Sequence, residues 1–222
     1  MRNKYEHQLE KLDNSLNSMC KLCEQVIECS VQALFVDEKD EERYRDMVQS
    51  VNETDREIDN LEAEIESMCL RLLLRQQPVA GDLRRISAAL KMISDLERIG
   101  DQASDITELT EYIRHCNLEH KLHLKEMSRV VICMVNTSID SFISGDMNDA
   151  VSVFEMDNVV DELFDKVKSE LISIISKDDT DAELCIDLLM VAKYFERIAD
   201  HAENIAEWVE YSITGVHKNA KI

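Results

Sequence analysis

The chain has 222 residues and a formal net charge of −21, from 46 acidic and 25 basic residues. A surface this acidic repels phosphate backbones and argues against nucleic acid as a partner. Only 4 Gly and 1 Pro occur, whereas average usage would give about 15 and 11. Because strands need the turns that these residues form, their scarcity predicts an all-α protein with a few long helices.

The first half of the chain predicts three helices in succession. The first extends from about Tyr5 to Phe35, with its apolar residues on one stripe, and the acidic segment 37–40 interrupts it. The second continues to about Arg75 and ends before Pro78, since the residue before a proline is biased away from helix. Pro78 itself suits the first turn of a third helix, which we expect to continue to about Arg114.

The second half repeats this plan. We expect helix four from Leu122 to Ile143 and helix five from about Met147 to Ser176, separated by Ser144-Gly145-Asp146 as a stop followed by an N-cap. Thr180 is interpreted as the capping-box residue that opens helix six. That helix is predicted to continue to about Tyr211. Because short connections make sequential helices antiparallel neighbours, each half predicts a three-helix bundle.

An internal repeat supports this division into halves. Glu97-Arg98-Ile99-Gly100-Asp101 recurs 99 residues later as Glu196-Arg197-Ile198-Ala199-Asp200. Asp55 and Asp59 in helix two recur 102 residues later as Asp157 and Asp161 in helix five. The prediction is therefore two pseudo-repeated antiparallel three-helix bundles, residues 1–115 and 116–222.

The repeated acids are expected to meet in space. In half one, Asp55 and Asp59 lie about 21 residues before the turn at Pro78, and Glu97 and Asp101 lie about 21 after it, so at 1.5 Å per residue the two pairs share one height. In half two the corresponding acids lie about 20 residues before and about 19 after the turn near Asp179. Because the paired acids lie at the same height along their helices in both halves, we predict one cluster of four carboxylates in each half.

Carboxylates this close repel one another, and a cation would relieve that repulsion. Hard oxygen donors suit magnesium, manganese, calcium or iron. The predicted metal ligands are Asp55, Asp59, Glu97, Asp101, Asp157, Asp161, Glu196 and Asp200, and the candidates that would extend the two sites are Asp105, His201 and Asn204.

A second interpretation of the acids needs no metal. Glu97 and Asp101 would instead form salt bridges at a helix interface with Arg98, Arg84 or Arg85, and Arg197 would act likewise in half two. The spacing leaves both interpretations open.

The sequence lacks the motifs of several classes of enzyme. The cassettes lack the Glu-x-x-His pairs of ferritin-like di-iron proteins, and there is no phosphate-cradling Gly-rich loop or nucleophile elbow. We therefore expect a protein that is not an enzyme. Seven cysteines without framework spacing are typical of the reducing cytoplasm, and no stretch approaches the roughly 18 apolar residues of a membrane helix.

The motifs resemble those of the PhoU family. The resemblance rests on the segments 75–84, 94–101 and 194–207, and it covers the chain from about Leu12 to Tyr211. It implies two three-helix bundles whose carboxylate motifs, Glu or Asp followed four positions later by Asp, hold iron, zinc or other divalent metals in some members. This chain departs from the family pattern at Gln102 and Ser104-Asp105, which bears on which metal binds.

The same resemblance implies a function. It indicates a cytoplasmic regulator of phosphate uptake, which dampens a phosphate ABC transporter through its ATPase subunit and helps a sensor histidine kinase to hold phosphate-starvation genes off. Such a protein would reach the membrane only through these partners, and a homodimer is a further candidate assembly. Two alternatives stay open, namely an accessory protein of a non-ABC phosphate transporter and a metal-dependent oxidase or storage protein.

Overall fold

A computed structural model describes residues 2–37, 39–114, 121–176 and 182–216, and these residues form six α-helices and no strand. This confirms the predicted all-α class, and the helix ends lie within a few residues of the predicted ones. The helices are α1 (Arg2–Phe35), α2 (Glu41–Gln76), α3 (Ala80–Ile113), α4 (Lys121–Ser144), α5 (Met147–Ile175) and α6 (Ala182–Thr214).

Side-chain caps and left-handed residues explain where the helices begin and end. Asp40 Oδ1 accepts a hydrogen bond from the Arg43 amide at 3.3 Å at the start of α2. Asp146 Oδ1 accepts one from the Asn148 amide at 2.8 Å at the start of α5, which confirms the predicted N-cap. Gly145, just before it, has a φ of +72° that favours glycine. The predicted capping residue Thr180 lies outside the described residues.

Pro78 differs from its predicted position. It lies between α2 and α3 rather than in the first turn of α3, whose N-cap is Val79 in extended backbone. Gln77 adopts a left-handed conformation with φ of +47° after the last residue of α2. Residues 77–79 form the turn between the two helices, so α3 begins only at Ala80.

The six helices pack as two bundles joined along their length. Helices α1, α2 and α3 contact one another, and so do α4, α5 and α6. The most extensive contact in the molecule is between α3 and α6, and α1 also packs on α4. The third helix of each repeat is therefore at the centre, while α2 and α5 lie outside.

The two bundles share one hydrophobic core. Fully buried residues from both repeats form a single cluster, among them Ile58 and Leu96 from the first and Val160 and Phe195 from the second. The predicted boundary at 115/116 lies outside the described residues and stays a prediction. Within the described ranges, none of the helices contains an apolar segment long enough to cross a membrane.

Candidate metal centres

The predicted acids lie in two clusters, one on α2 and α3 and the other on α5 and α6. We call the first the α2–α3 cluster and the second the α5–α6 cluster. The members of each are the carboxylates whose charges act on one another. The α2–α3 cluster contains Asp55, Asp59, Glu62, Glu97, Asp101, Asp105 and Glu108. The α5–α6 cluster contains Asp157, Asp161, Glu196, Asp200 and Glu203.

Repulsion within the α2–α3 cluster acts from both helices. Partial burial and then the charges of Asp59, Asp101 and Asp105 raise the pKa of Asp55. Burial, followed by the charges of Asp101, Glu62 and Asp59, likewise raises the pKa of Glu97. The charges of carboxylates on α2 and α3 therefore act on one another across the helix pair.

Gly100 allows α3 to approach α2 closely at this cluster. A Cβ added at Gly100 would lie 3.0 Å from Ile58 Cδ1 and 3.3 Å from Asp55 Oδ1. The missing side chain thus leaves room for the Asp55 carboxylate against α3. Ala199 is the equivalent residue in α6, so the second repeat has a methyl group where the first has none.

The largest pKa shift of a carboxyl group in the two clusters is that of Asp157, in the α5–α6 cluster. Burial raises the pKa of Asp157 to about 6, and the charges of Glu203, Asp161, Asp200 and Glu196 act in the same direction. Burial and then Glu196 also raise the pKa of Asp200. The charged form of Asp157 is therefore disfavoured by its surroundings unless a cation approaches.

Exposure follows the same pattern in both repeats. Asp55 and Glu97 are half-buried in the first, as Asp157 and Glu196 are in the second. Their partners one helical turn further along are exposed, namely Asp59, Asp101, Asp161 and Asp200. Each cluster thus has a recessed side against the core and an open side that an ion can reach from solvent.

The chemistry of these clusters fits a hard cation, although their side chains do not form a ready-made site. All the donors are carboxylate oxygens, the ligands that magnesium, manganese and calcium prefer. Among the described residues, however, no three His, Cys, Asp or Glu side chains are grouped closely enough to hold a metal ion. A cation would have to draw the carboxylates together by rotation of their side chains.

Two of the residues predicted to extend the second site are engaged elsewhere. His201 Nδ1 lies 3.0 Å from Asp95 Oδ1, and Asn204 Nδ2 donates to the same oxygen at 3.3 Å. Asp95 belongs to α3, so both side chains reach across to the other repeat. Asp105, by contrast, belongs to the α2–α3 cluster, where burial, then the charges of Glu108 and Asp101, raise its pKa.

The arginines suggested as salt-bridge partners contact other groups. Arg85 Nη2 donates to Asp13 Oδ1 at 2.8 Å, and Arg84 Nε donates to the Ser212 carbonyl at 3.3 Å. Arg98 and Arg197 are exposed; Arg98 acts on Glu97 through its charge, and Arg197 acts on Asp105 across the repeat interface. Among the described residues, no Lys or Arg lies within ion-pair distance of an α2–α3 cluster carboxylate.

Four carboxylates and one lysine of this region are absent from the predicted site residues. Glu62, Glu108 and Glu203 lie three positions beyond Asp59, Asp105 and Asp200, so extending the helical spacing by one turn would have found them. Lys193, which donates to Glu196 Oε2, lies three positions before a predicted ligand. Asp95 had no such signal, because only the packing of α3 on α6 brings it to His201 and Asn204.

The contact of Asp95 with His201 and Asn204 is expected to stabilise the interface between the two repeats. The Asp95 and His201 side chains are only 14% and 15% exposed, so Asp95→Ala leaves the partly buried His201 ring without its partner and removes the acceptor of the exposed Asn204 amide. We expect the free energy of unfolding to fall by about 1–3 kcal/mol in urea titrations. The matched control is Asp165→Ala, whose carboxylate is 75% exposed and pairs with Lys168. A loss no larger than that of the control would contradict this role.

Comparison with known proteins places this geometry in context. The family model described as the PhoU domain matches the chain twice, over residues 16–110 and 124–209. A relative from Clostridium acetobutylicum, named a phosphate-specific transport system accessory protein PhoU homolog, is 36% identical over 95% of this chain and 94% of its own. A Deinococcus radiodurans protein of the same name is 31% identical over 97% and 99%.

Solved structures agree with the sequence matches. The crystal structure of PhoU from Pseudomonas aeruginosa aligns with a TM-score of 0.86 at 30% identity, over 96% of this chain and 100% of that one. The phosphate transport system regulatory protein PhoU from Streptococcus pneumoniae aligns with a TM-score of 0.84 over 96% and 98%. Its identity is 24%, so that likeness supports the fold alone.

Proposed function

The chain belongs to the PhoU family, and from this premise we propose that it is an accessory protein of a phosphate transport system. The observation that carries the proposal is the match of both repeats, over nearly the whole chain, to relatives named for that role. In finer terms, it is a cytoplasmic, non-enzymatic adaptor that restrains a phosphate ABC transporter through the ATPase subunit. It also acts with a sensor histidine kinase to keep phosphate-starvation genes off.

The charge distribution supports an adaptor that binds other proteins. With a net charge of −21, the chain would be attracted to a basic protein surface and steered towards it over a distance of about 10 Å at 0.1 M salt. The outer helices α2 and α5 expose most of their acids on the faces that do not pack in the core. These faces are the natural docking surfaces for a basic partner.

Metal ions belong to the finer part of this proposal. Asp55, Asp59, Glu97 and Asp101 would hold one cation centre, and their four counterparts in the second repeat would hold another. When bound, a divalent or ferric ion supplies positive charge that offsets the repulsion between the outer and the central helix. The chain's own part is to keep one carboxylate of each helix recessed and the next one open to solvent. Metal would thus act on the packing of each outer helix rather than on a reaction.

Affinity capture tests the accessory role. A tagged chain expressed at its native level would be cross-linked in cells at high phosphate, purified and identified by quantitative mass spectrometry. We expect enrichment of a phosphate-transporter ATPase and of a sensor kinase over a tagged helical protein of equal size and charge. That control removes partners that bind any acidic surface.

The identity of the captured transporter also separates the alternatives. An ATPase subunit supports the ABC assignment, whereas a phosphate carrier without an ATPase supports the non-ABC alternative. Capture without any phosphate-transport component would overturn the proposed function. Phosphate uptake measured in a strain without the gene gives a second readout, since loss of a restraining subunit is expected to raise uptake at high phosphate.

A further inference from the structure

The C-terminal part of α2 has a solvent-facing surface of leucines and arginines. Leu70 and Leu74, one turn apart, are 46% and 80% exposed. Arg71 and Arg75, also one turn apart, are exposed beside them. Among the described helices, α2 packs on α1 and α3 alone, so this side of it has no partner within the chain. We call Leu70, Arg71, Leu74 and Arg75 the α2 basic face.

The charge of this region is opposite to that of the chain as a whole. Residues 67–94 contain five basic residues and one acidic residue, although the chain carries a net charge of −21. The equivalent segment of the second repeat, 169–193 by the offsets of 102 and 99, contains two basic and six acidic residues. The positive charge therefore distinguishes the first repeat from the second and does not follow from the fold that they share.

The two arginines of the α2 basic face are available to a partner. Among the described residues, neither Arg71 nor Arg75 forms an ion pair. The two preceding acids of α2 are Glu64, which pairs with Lys11 of α1, and Glu66. Like charges four positions apart on a helix repel each other. Carboxylates that lie against both arginines would offset that repulsion.

We propose that the α2 basic face is a docking surface for an acidic amphipathic helix of a partner protein. Apolar residues of that helix pack on Leu70 and Leu74, and carboxylates one turn apart pair with Arg71 and Arg75. The acidic faces assigned above to a basic partner have the opposite charge, so this surface takes a chemically different protein. The inference goes beyond the proposed accessory role and does not depend on it.

The spacing of the exposed residues favours a helix as the occupant. The line of Leu70 and Leu74 continues towards the start of α2 through Ser67 and Ala63, which are also exposed. Positions 63, 67, 70 and 74 follow one face of a helix. Small residues allow a second helix to approach, and the leucines fit between its ridges at an axial separation of about 8–10 Å. A helix that lies along α2 thus reaches both leucines and both arginines.

Charge argues against two other occupants. Arg85 of α3 lies over the Phe142 ring near the end of α4, so Asp146 and Asp149 of the following turn lie at the same end of the molecule. An anionic lipid surface would meet these acids as well as the arginines. A second copy of the chain also carries a charge of −21, so two copies repel each other as they approach.

Site-specific photo-crosslinking in living cells tests this surface in the full chain. Leu70 is replaced by p-benzoylphenylalanine in one sample. In the control sample the same replacement is made at Ile172, the equivalent residue of the second repeat, which is 58% exposed. We expect a protein adduct at position 70 and none at position 172. The crosslinked peptide, sequenced by mass spectrometry, should have acidic residues one helical turn apart beside apolar ones.

Charge reversal assigns the contact to the arginines. Arg71→Glu together with Arg75→Glu is expected to lower the yield of the adduct by about tenfold, since two exposed ion pairs are lost and like charges replace them. Arg71→Gln together with Arg75→Gln should give a smaller loss. Both positions are exposed, so the fold should tolerate the changes, and circular dichroism would check this. Lys166→Glu together with Lys168→Glu, at two exposed positions of α5, is the matched control and should leave the yield unchanged.

Four results would overturn the docking surface. They are the absence of an adduct at position 70, adducts of equal yield at positions 70 and 172, an adduct with lipid or with a second copy of the chain, and a yield that Arg71→Glu together with Arg75→Glu leaves unchanged. None of these results touches the accessory role, which the capture of transporter components decides separately.

Discussion

Phe195→Ala is expected to lower the free energy of unfolding by about 3–5 kcal/mol, the usual cost of removing a buried aromatic side chain. Phe195 is 0% exposed and lies in α6 directly before Glu196, in the core that both repeats share. Its loss leaves a cavity where α6 is surrounded by its own bundle and by α3. The substitution should therefore weaken both repeats and not only the second.

Two probes observed together would show whether the repeats respond as one unit. Trp208, the only tryptophan, lies in α6, whereas far-ultraviolet circular dichroism reports on all six helices. We expect one cooperative urea transition at the same midpoint for both probes, moved to lower urea by Phe195→Ala. The control is Leu74→Ala, because Leu74 is 80% exposed and such changes are usually within about 0.5 kcal/mol.

A different result would contradict the shared core. If the Trp208 signal moved to lower urea while part of the helical signal kept its original midpoint, the repeats would be unfolding separately. A shift no larger than that of the Leu74→Ala control would show that Phe195 does not fill the space assigned to it.

Asp157→Asn is expected to stabilise the metal-free chain at neutral pH. The folded state raises the pKa of Asp157 from 3.8 to about 6, so the folded chain holds the proton more tightly than the unfolded chain does. The stabilisation from this proton is complete below about pH 4 and is lost as the pH rises to about 6. Because the group is half-exposed and screened by solvent, we expect a gain of about 1 kcal/mol for the variant at pH 7.

The pH dependence and the response to cations identify the cause of that gain. The difference between the variant and the original chain should vanish below about pH 4, where Asp157 is protonated in both states, and should shrink in high salt. Saturating Mn²⁺ should reverse the order, since a bound ion stabilises the original chain by mass action and the amide is a poorer ligand. Asp165→Asn, an exposed carboxylate outside the cluster, should show none of these effects.

Either half of this prediction can be contradicted. A variant that is less stable at pH 7 without metal would show that the negative charge of Asp157 is compensated in the folded chain. An unchanged order in saturating Mn²⁺ would show that Asp157 does not serve as a ligand.

Much of the candidate site follows from regular helix geometry alone. The spacing of Asp55 and Asp59 from the first turn, and of Glu97 and Asp101 beyond it, predicts that the two pairs lie level. The same arithmetic holds in the second repeat, and the charges of these residues do act on one another in the structure. Rise per residue is nearly constant in an α-helix, so height along a hairpin can be read from sequence.

The contacts between non-sequential helices could not be read in the same way. The spacing of His201 and Asn204 from Asp200 gives no indication that both side chains contact Asp95 on α3. The relevant contact is between the third helices of the two repeats, and no short turn relates them. Arg85 illustrates the same point, since it binds Asp13 of α1 and lies over the Phe142 ring of α4 at 4.6 Å.

The helical class, the six helices and the twofold repeat could be predicted from the residues alone, because they depend on composition, periodicity and local geometry. Tertiary packing was needed to establish which acids are recessed, that the halves share one core, and that Lys193 lies against Phe164 in one repeat while Ser94 binds Glu62 in the other. Those outcomes depend on the rotation of each helix about its axis, which the packing of distant side chains sets.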